Sequence, residues 1–172
     1  MNDHEQGASV AAEDLESPVA RDLIQLLDET FETHHGIYLD AGTSFFQTLQ
    51  AIDAATASRA VGPTSGTIAA KVAHVTFYLE VVERYLTTGN DERADWGEIW
   101  RTVSVVSPAR WTELVGDLRS AFGRLRRMLV EGDAWADPAT VGDAMAIAVH
   151  TAYHLGEIRE ALAAMGVDAA PS

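Results

Sequence analysis

The sequence contains no cysteine, and this absence removes several kinds of chemistry. A chain without thiols has no disulfide framework, no thiolate zinc site and no cysteine nucleophile, so a bound metal needs histidine and carboxylate ligands. Basic residues are also scarce: 12 Lys and Arg stand against 26 Asp and Glu, which gives a net charge of -14. Such a charge repels phosphate backbones and anionic lipid head groups, and this argues against nucleic acid and membrane surfaces as partners.

Long apolar runs are missing as well, because no stretch approaches the roughly 18 residues that would cross a bilayer. The first residues also lack the basic start and apolar stretch of a signal peptide, so a cytoplasmic location is expected. Hydrophobic residues still make up 47% of the 172 residues, which is enough for one domain with one core. We expect a flexible acidic tail at 1–17, the domain at 18–166 and a flexible C-terminus at 167–172.

Four apolar patterns with a helical period follow the tail, and no segment alternates in the manner of a strand, so the sequence predicts an all-α protein. The first pattern starts at Ser17, a potential N-cap, with Pro18 in the first helical turn, and it breaks near Gly36. A shorter stretch over 45–52 is interpreted as its continuation after a kink, before a loop at 62–66.

The next pattern begins at Thr67 as the cap and stops at Gly89. Residues 90–106, which include Trp96 and Trp100, form a long connection that is expected to cross the end of a bundle.

A third long helix opens at Ser107 and Pro108 and ends by Gly132. The last helix is expected over about 140–165, with Gly166 as its C-terminal cap. Four main helices predict a four-helix bundle with a long connection before the third helix.

Three of the six histidines invite a joint interpretation. His150 and His154 lie four residues apart on the last helix, so both imidazoles share one face and can reach one cation. Helical angles place this pair, and His74 on its own helix, at the border of a buried face. Three neutral nitrogen ligands leave coordination open for water or substrate, as in catalytic zinc sites. The spacing of the pair alone favours a helix surface that binds no metal, because two histidines four residues apart need no ligand.

Two segments carry a resemblance to a known family: TIAAKVAHVTFYLEVVERYL, which contains His74, and AIAVHTAYHLGEIREAL, which contains the H-x-x-x-H-x-G-E-I run. Together with the two tryptophans of the connection and Trp111, they resemble the DinB-like (damage-inducible) superfamily over roughly residues 18–165. The resemblance implies a four-helix bundle in which His74, His150 and His154 hold one divalent metal ion, commonly zinc or nickel.

Members of that superfamily include thiol-dependent S-transferases, mycothiol-dependent isomerases and proteins described as metal-dependent hydrolases. The expected function is therefore a metal-dependent transferase of low-molecular-weight thiols, or a hydrolase, acting on a small-molecule substrate, with a homodimer as one expected state. Because the chain has no cysteine, any thiol must come from a cofactor or substrate. A non-catalytic ligand-binding or stress-related module and a metal-free bundle are the alternatives.

Several residues near the histidines have two interpretations. His34 either joins the site or stands at the end of the first helix, where the helix dipole favours a cation. Glu157 either orients a ligand or accepts a proton, or it is an exposed helical residue. Tyr78 and Tyr153 either donate to a bound oxyanion or pack with their hydroxyls at the surface.

Two further groups are assigned to the scaffold first. The four tryptophans are expected to anchor the core and the loops rather than to form a stacking platform, because the surrounding charge is acidic. Arg124, Arg126 and Arg127 are interpreted as a solvated helix end, with the binding of an anionic substrate group as the alternative.

Overall fold

The computed structural model describes residues 15–62, 66–89, 94–131, 134–137 and 139–167. Over these ranges the chain is helical and contains no strand, which confirms the predicted all-α class. The α-helices are α1 (Pro18–Phe31), α2 (Phe45–Gln50), α3 (Ala54–Ala57), α4 (Ile68–Thr88), α5 (Glu98–Thr102), α6 (Pro108–Glu131) and α7 (Ala139–Ala164). Five predicted features lie wholly or partly outside the described residues: 1–14 of the tail at 1–17, 63–65 of the loop at 62–66, 90–93 of the long connection, the helix end at Gly132, and 168–172 of the C-terminus at 167–172.

Predicted capping residues lie at the start of α1 and at both ends of α4. The Ser17 hydroxyl accepts a hydrogen bond from the Ala20 amide at 3.3 Å, and the Thr67 hydroxyl accepts one from the Ala70 amide at 3.1 Å. Gly89 ends α4 in a left-handed conformation with φ 65°. Side chains of this kind satisfy amides that the first turn leaves free, so the sequence marks these boundaries well.

The segment between α1 and α2 differs from the predicted kink. Four backbone N–H groups donate to the carboxylate of Glu29 at 2.6–3.0 Å, from His35, Ile37, Tyr38 and Leu39. Burial opposes the ionisation of Glu29, but these donors outweigh it and lower its pKa to about 2. Residues 32–44 therefore form a folded segment around one buried carboxylate, and α2 is a separate helix.

The connection between α4 and α6 returns along α4 instead of crossing an end. At the start of α4, the Thr67 hydroxyl donates to the carbonyl of Ser104 at 3.1 Å. The Trp111 indole, in the first turn of α6, donates to the carbonyl of Ile52 at 3.2 Å. Both helices thus begin at the same end of the molecule and run parallel. The connection also contains α5, which is too short for its apolar period to be recognised.

The four long helices pack around one core. Both α4 and α1 contact α6 and α7. Cross-helix ion pairs and ring contacts show that α4 and α6 run in one direction and that α1 and α7 run in the other. In the centre, the Phe31 ring stacks on Phe45 at 5.2 Å and on Phe122 at 4.2 Å. No helix in the described ranges is long and apolar enough to cross a membrane.

The arginines near the end of α6 join neighbouring helices. The Arg124 guanidinium binds Glu83 of α4 at 3.0 Å, and Arg126 binds Asp28 of α1 at 2.6 Å. These two side chains are therefore engaged in ion pairs within the scaffold, and Arg127 lies exposed. Two tryptophans are anchors as expected, since the indoles of Trp111 and Trp135 donate to backbone carbonyls.

Candidate metal centre

The three predicted histidines come together between α4 and α7. The ring of His74 lies 5.3 Å from that of His150 and 4.8 Å from that of His154, and the latter two are 4.6 Å apart. One nitrogen from each lies within 4.8 Å of the other two. Zinc–nitrogen bonds of ~2.0–2.1 Å place the ligands of a tetrahedral ion roughly 3.4 Å apart, so small side-chain movements suffice for the three to share an ion.

The antiparallel packing of α4 against α7 produces this arrangement. Because His150 and His154 are one turn apart on α7, their rings flank the single imidazole that α4 contributes. The site is more enclosed than a border position suggests: His74 is 7% exposed and His154 is 5% exposed, while His150 is half-buried.

Burial keeps the imidazoles neutral. It lowers the pKa of His74 to about 4, with a further contribution from the neighbouring His154. Burial also lowers the pKa of His150 and of His154. A neutral imidazole has a free nitrogen lone pair, which is the form that binds a metal ion.

Two nitrogen atoms of the cluster are buried without a hydrogen-bond partner, His74 Nδ1 and His150 Nε2. A buried polar atom without a partner costs about 1–3 kcal/mol, and folded proteins contain few of them. Both atoms belong to the same group of three imidazoles, where one cation would supply the missing interaction. The cluster therefore fits a metal centre better than a packed group of histidines.

Glu157 orients the third imidazole. Its Oε2 atom lies 2.8 Å from Nδ1 of His154 and accepts a hydrogen bond from Nζ of Lys71 at 2.9 Å. Burial raises the pKa of Glu157, but the hydrogen bonds from Lys71 and His154 outweigh burial and the net shift is downward. An ionised carboxylate only accepts, so Nδ1 of His154 carries the proton and Nε2 has the free lone pair.

Lys71 is a site residue that the sequence analysis missed. It lies one turn before His74 on α4, is 5% exposed and pairs with Glu157 of α7. A lysine inside the apolar run IAAKVAHV was the available signal, because a charged side chain on a buried face needs a partner.

Aromatic rings surround the imidazoles, and we call the four that contact them the aromatic collar: Tyr78, Trp96, Trp100 and Tyr153. The rings of Trp100 and Trp96 lie 4.9 and 6.2 Å from that of His74. Tyr78 stacks on His150 at 3.8 Å, and Tyr153 lies 5.0 Å from His154. Trp96 and Trp100, expected only as loop anchors, therefore border the site.

His34 is not part of this cluster. It lies exposed beyond the end of α1, whereas the imidazoles of the candidate centre lie between α4 and α7. Within the part of the chain that the structure describes, no further His, Asp or Glu joins the three histidines. The described residues would therefore supply three ligands to an ion bound there, one fewer than the four of a closed tetrahedral site.

Comparisons with protein-family models, with curated proteins and with solved structures find no match to this chain. The fold and the site together define a class, an all-helical protein with a candidate metal centre of three histidines. Function is therefore inferred from the chemistry of this centre.

Proposed function

We propose that the protein is a DinB-like four-helix-bundle enzyme in which His74, His150 and His154 bind one divalent ion, zinc or nickel. Its reaction is the transfer of a low-molecular-weight thiol to a small-molecule substrate, or the hydrolysis of such a substrate. One observation carries the proposal: two buried nitrogens without hydrogen-bond partners belong to a group of three imidazoles whose ligand atoms lie within 4.8 Å.

The residues around the cluster support a catalytic role over a purely structural one. Structural zinc sites are closed by four protein ligands, whereas the described residues offer three. When bound, a divalent ion supplies Lewis-acid chemistry and lowers the pKa of a coordinated water or thiol. The thiol is an external molecule, because the chain has no cysteine. Lys71 and Glu157 hold His154 in one tautomer, and two of the three imidazoles are nearly buried.

Metal content tests the ligand set. Protein purified without an affinity tag is expected to contain close to one divalent ion per chain by mass spectrometry. His74→Ala and His150→Ala each remove a ligand and should lose most of the metal. His34→Ala is the matched control, since it removes an exposed histidine outside the cluster and should retain the metal. Stoichiometric metal in either of the first two variants contradicts the three-ligand site.

Turnover assays separate the two reactions. Zinc- and nickel-loaded protein is mixed with electrophilic substrates in the presence and absence of mycothiol, bacillithiol or glutathione, and with simple esters and amides. Thiol-dependent turnover that is lost in His154→Ala supports a transferase. Thiol-independent turnover lost in the same variant supports a hydrolase. Ligand binding without turnover under either metal would replace both with a binding module.

A further inference from the structure

The aromatic collar exposes a large apolar surface beside the candidate centre. Trp96 is 41% exposed, Trp100 is 40% exposed and Tyr153 is 62% exposed. Exposed aromatic side chains that border an enclosed polar site are typical of ligand-binding positions. A group bound at the imidazoles would therefore lie beside aromatic rings.

The two indoles are held in place by close packing. Ring atoms of Trp100 lie 3.0 and 3.2 Å from the point where a Cβ atom would stand on Gly66, so a side chain at that position would meet the ring. The ring of Trp96 packs edge-on against Phe77 at 5.4 Å. Since both indoles have fixed neighbours, they present a preformed surface, which lowers the entropy lost when a ligand binds.

The charges beside the collar disfavour an anionic ligand. Nζ of Lys71, 5.9 Å from the centre of the Trp100 ring, is already paired with Glu157 at 2.9 Å. Arg101 is paired with Asp95 at 2.6 Å. These two cations are thus neutralised within the protein, and the chain as a whole has a net charge of -14. An uncharged flat group fits this surface better than a carboxylate or a phosphate.

We propose that the site takes substrates in which the metal-ligating group is attached to an uncharged aromatic ring that stacks on Trp96 and Trp100. This inference rests on the proposed function and deepens it by naming the substrate class. Aromatic pairs contribute through both the area they bury and the geometry of their quadrupoles, so the ring adds affinity that an alkyl group of the same ligand lacks.

Two hydroxamates provide the test, because they share one metal-binding group and differ in the ring. Calorimetric titration of the zinc-loaded protein should give benzohydroxamate about tenfold tighter binding than acetohydroxamate. In the double variant Trp96→Leu/Trp100→Leu the ratio of the two affinities should fall to near one. Stoichiometric zinc in that variant shows that the three histidines still form the centre. Tyr85→Leu is the control: this aromatic residue is 47% exposed and lies about three turns beyond His74 on α4, so the preference should persist.

The outcomes distinguish the inference from the function on which it rests. Equal affinities of the wild type for the two hydroxamates overturn the inference, and so does a tenfold preference for benzohydroxamate that survives in the double variant. In both cases the binding of acetohydroxamate leaves the proposed function standing. Stoichiometric zinc without binding of either hydroxamate overturns the inference, because no external ligand then reaches the ion. A protein that binds neither zinc nor nickel overturns both the inference and the proposed function.

Discussion

At the scale of single residues, one oxygen atom of Glu157 connects the two helices that supply the candidate ligands. Glu157→Gln keeps the size of the side chain but removes the charge that pairs Lys71 and holds His154. We expect zinc affinity to fall by about 10–100-fold, the usual effect of losing a group that orients a metal-binding histidine. Competition with a chromophoric chelator measures this change.

The control for that experiment is Glu83→Gln, which breaks an ion pair between α4 and α6 away from the histidines. Its zinc affinity should equal that of the wild type. If Glu157→Gln also binds zinc as the wild type does, the carboxylate has no orienting role.

The buried carboxylate of Glu29 makes stability depend on pH. Its pKa is lowered from 4.5 to about 2 in the folded protein, so its contribution is fully present above about pH 4.5 and is lost as the pH falls towards 2. This contribution is on the order of 3 kcal/mol. Urea unfolding should therefore show that Glu29→Gln is less stable than the wild type at pH 6 and that the difference narrows by pH 3.

Glu32→Gln serves as the comparison, because the side chain of Glu32 forms an exposed ion pair with Arg119. Exposed pairs contribute about 0–1 kcal/mol, so this variant should unfold nearly as the wild type does. The free energies of unfolding of the wild type and Glu29→Gln could instead differ by the same amount at pH 6 and pH 3. That result would show that ionisation of the Glu29 carboxylate does not cause the pH dependence of stability.

The sequence predicted the three histidines of the candidate centre, but it did not predict the ion pair between Lys71 and Glu157 that holds His154. His150 and His154 share a face by helical period alone, and His74 has a matching border position. Lys71 and Glu157 are 86 residues apart, and periodicity assigns faces, not distances between helices. Their pairing depends on how α4 and α7 are aligned, which no local pattern encodes.

At the scale of elements, Gly66 connects the start of α4 to the aromatic collar. It has φ +58° and lies against the Trp100 ring, whereas Gly89 at the other end of α4 has φ +65° and nothing within 4 Å of its would-be Cβ. Gly89→Ala should therefore lower the free energy of unfolding only by the roughly 1–2 kcal/mol that alanine costs in a left-handed backbone conformation. Gly66→Ala should lose more stability in thermal unfolding, because the added methyl group meets the Trp100 ring. The displaced ring should also alter the near-ultraviolet circular dichroism of tryptophan.

Equal destabilisation by the two alanine substitutions would mean that Trp100 moves away without loss. The difference between the two losses of stability reports on the packing of the indole, because both glycines have a similar positive φ.

Long helices were predictable from sequence and short ones were not. α1 and α4 begin at side chains that cap them, and their apolar periods extend over several turns. α5 has five residues, too few to show a period, and it is placed by contacts of Trp100 with His74. The segment at 32–44 was misinterpreted for a different reason: hydrogen bonds to the carboxylate of Glu29 organise its backbone, and no apolar period reports them.

At the scale of the whole molecule, the core is independent of the candidate metal. Phe31, Phe45 and Phe122 stack away from the histidines, and each is at most 2% exposed. Circular dichroism after chelation should therefore keep most of the helical signal. Added zinc should raise the melting temperature of the wild type, because a ligand of the folded state stabilises it, and should not do so in His150→Ala. Loss of most of the helical signal on chelation would contradict the independence of the core from the metal.

The directions of the helices could not be predicted, although the all-α class could. A connection as long as 90–106 can either cross the end of the molecule or return along a helix, and its composition does not distinguish the two. The hydrogen bond from Thr67 to Ser104 shows that the connection returns along α4 to the end at which that helix begins.

The parallel arrangement of α4 and α6 has a kinetic consequence. Helices joined by a short turn dock as soon as they form, but α4 and α6 meet only after the chain has travelled back along α4, and contacts between distant segments slow folding. His150 and His154 are neighbours on α7 from the moment that helix forms, whereas His74 arrives with α4. If the three histidines bind an ion as proposed, the rate of metal uptake during refolding should report the rate at which α4 docks onto α7.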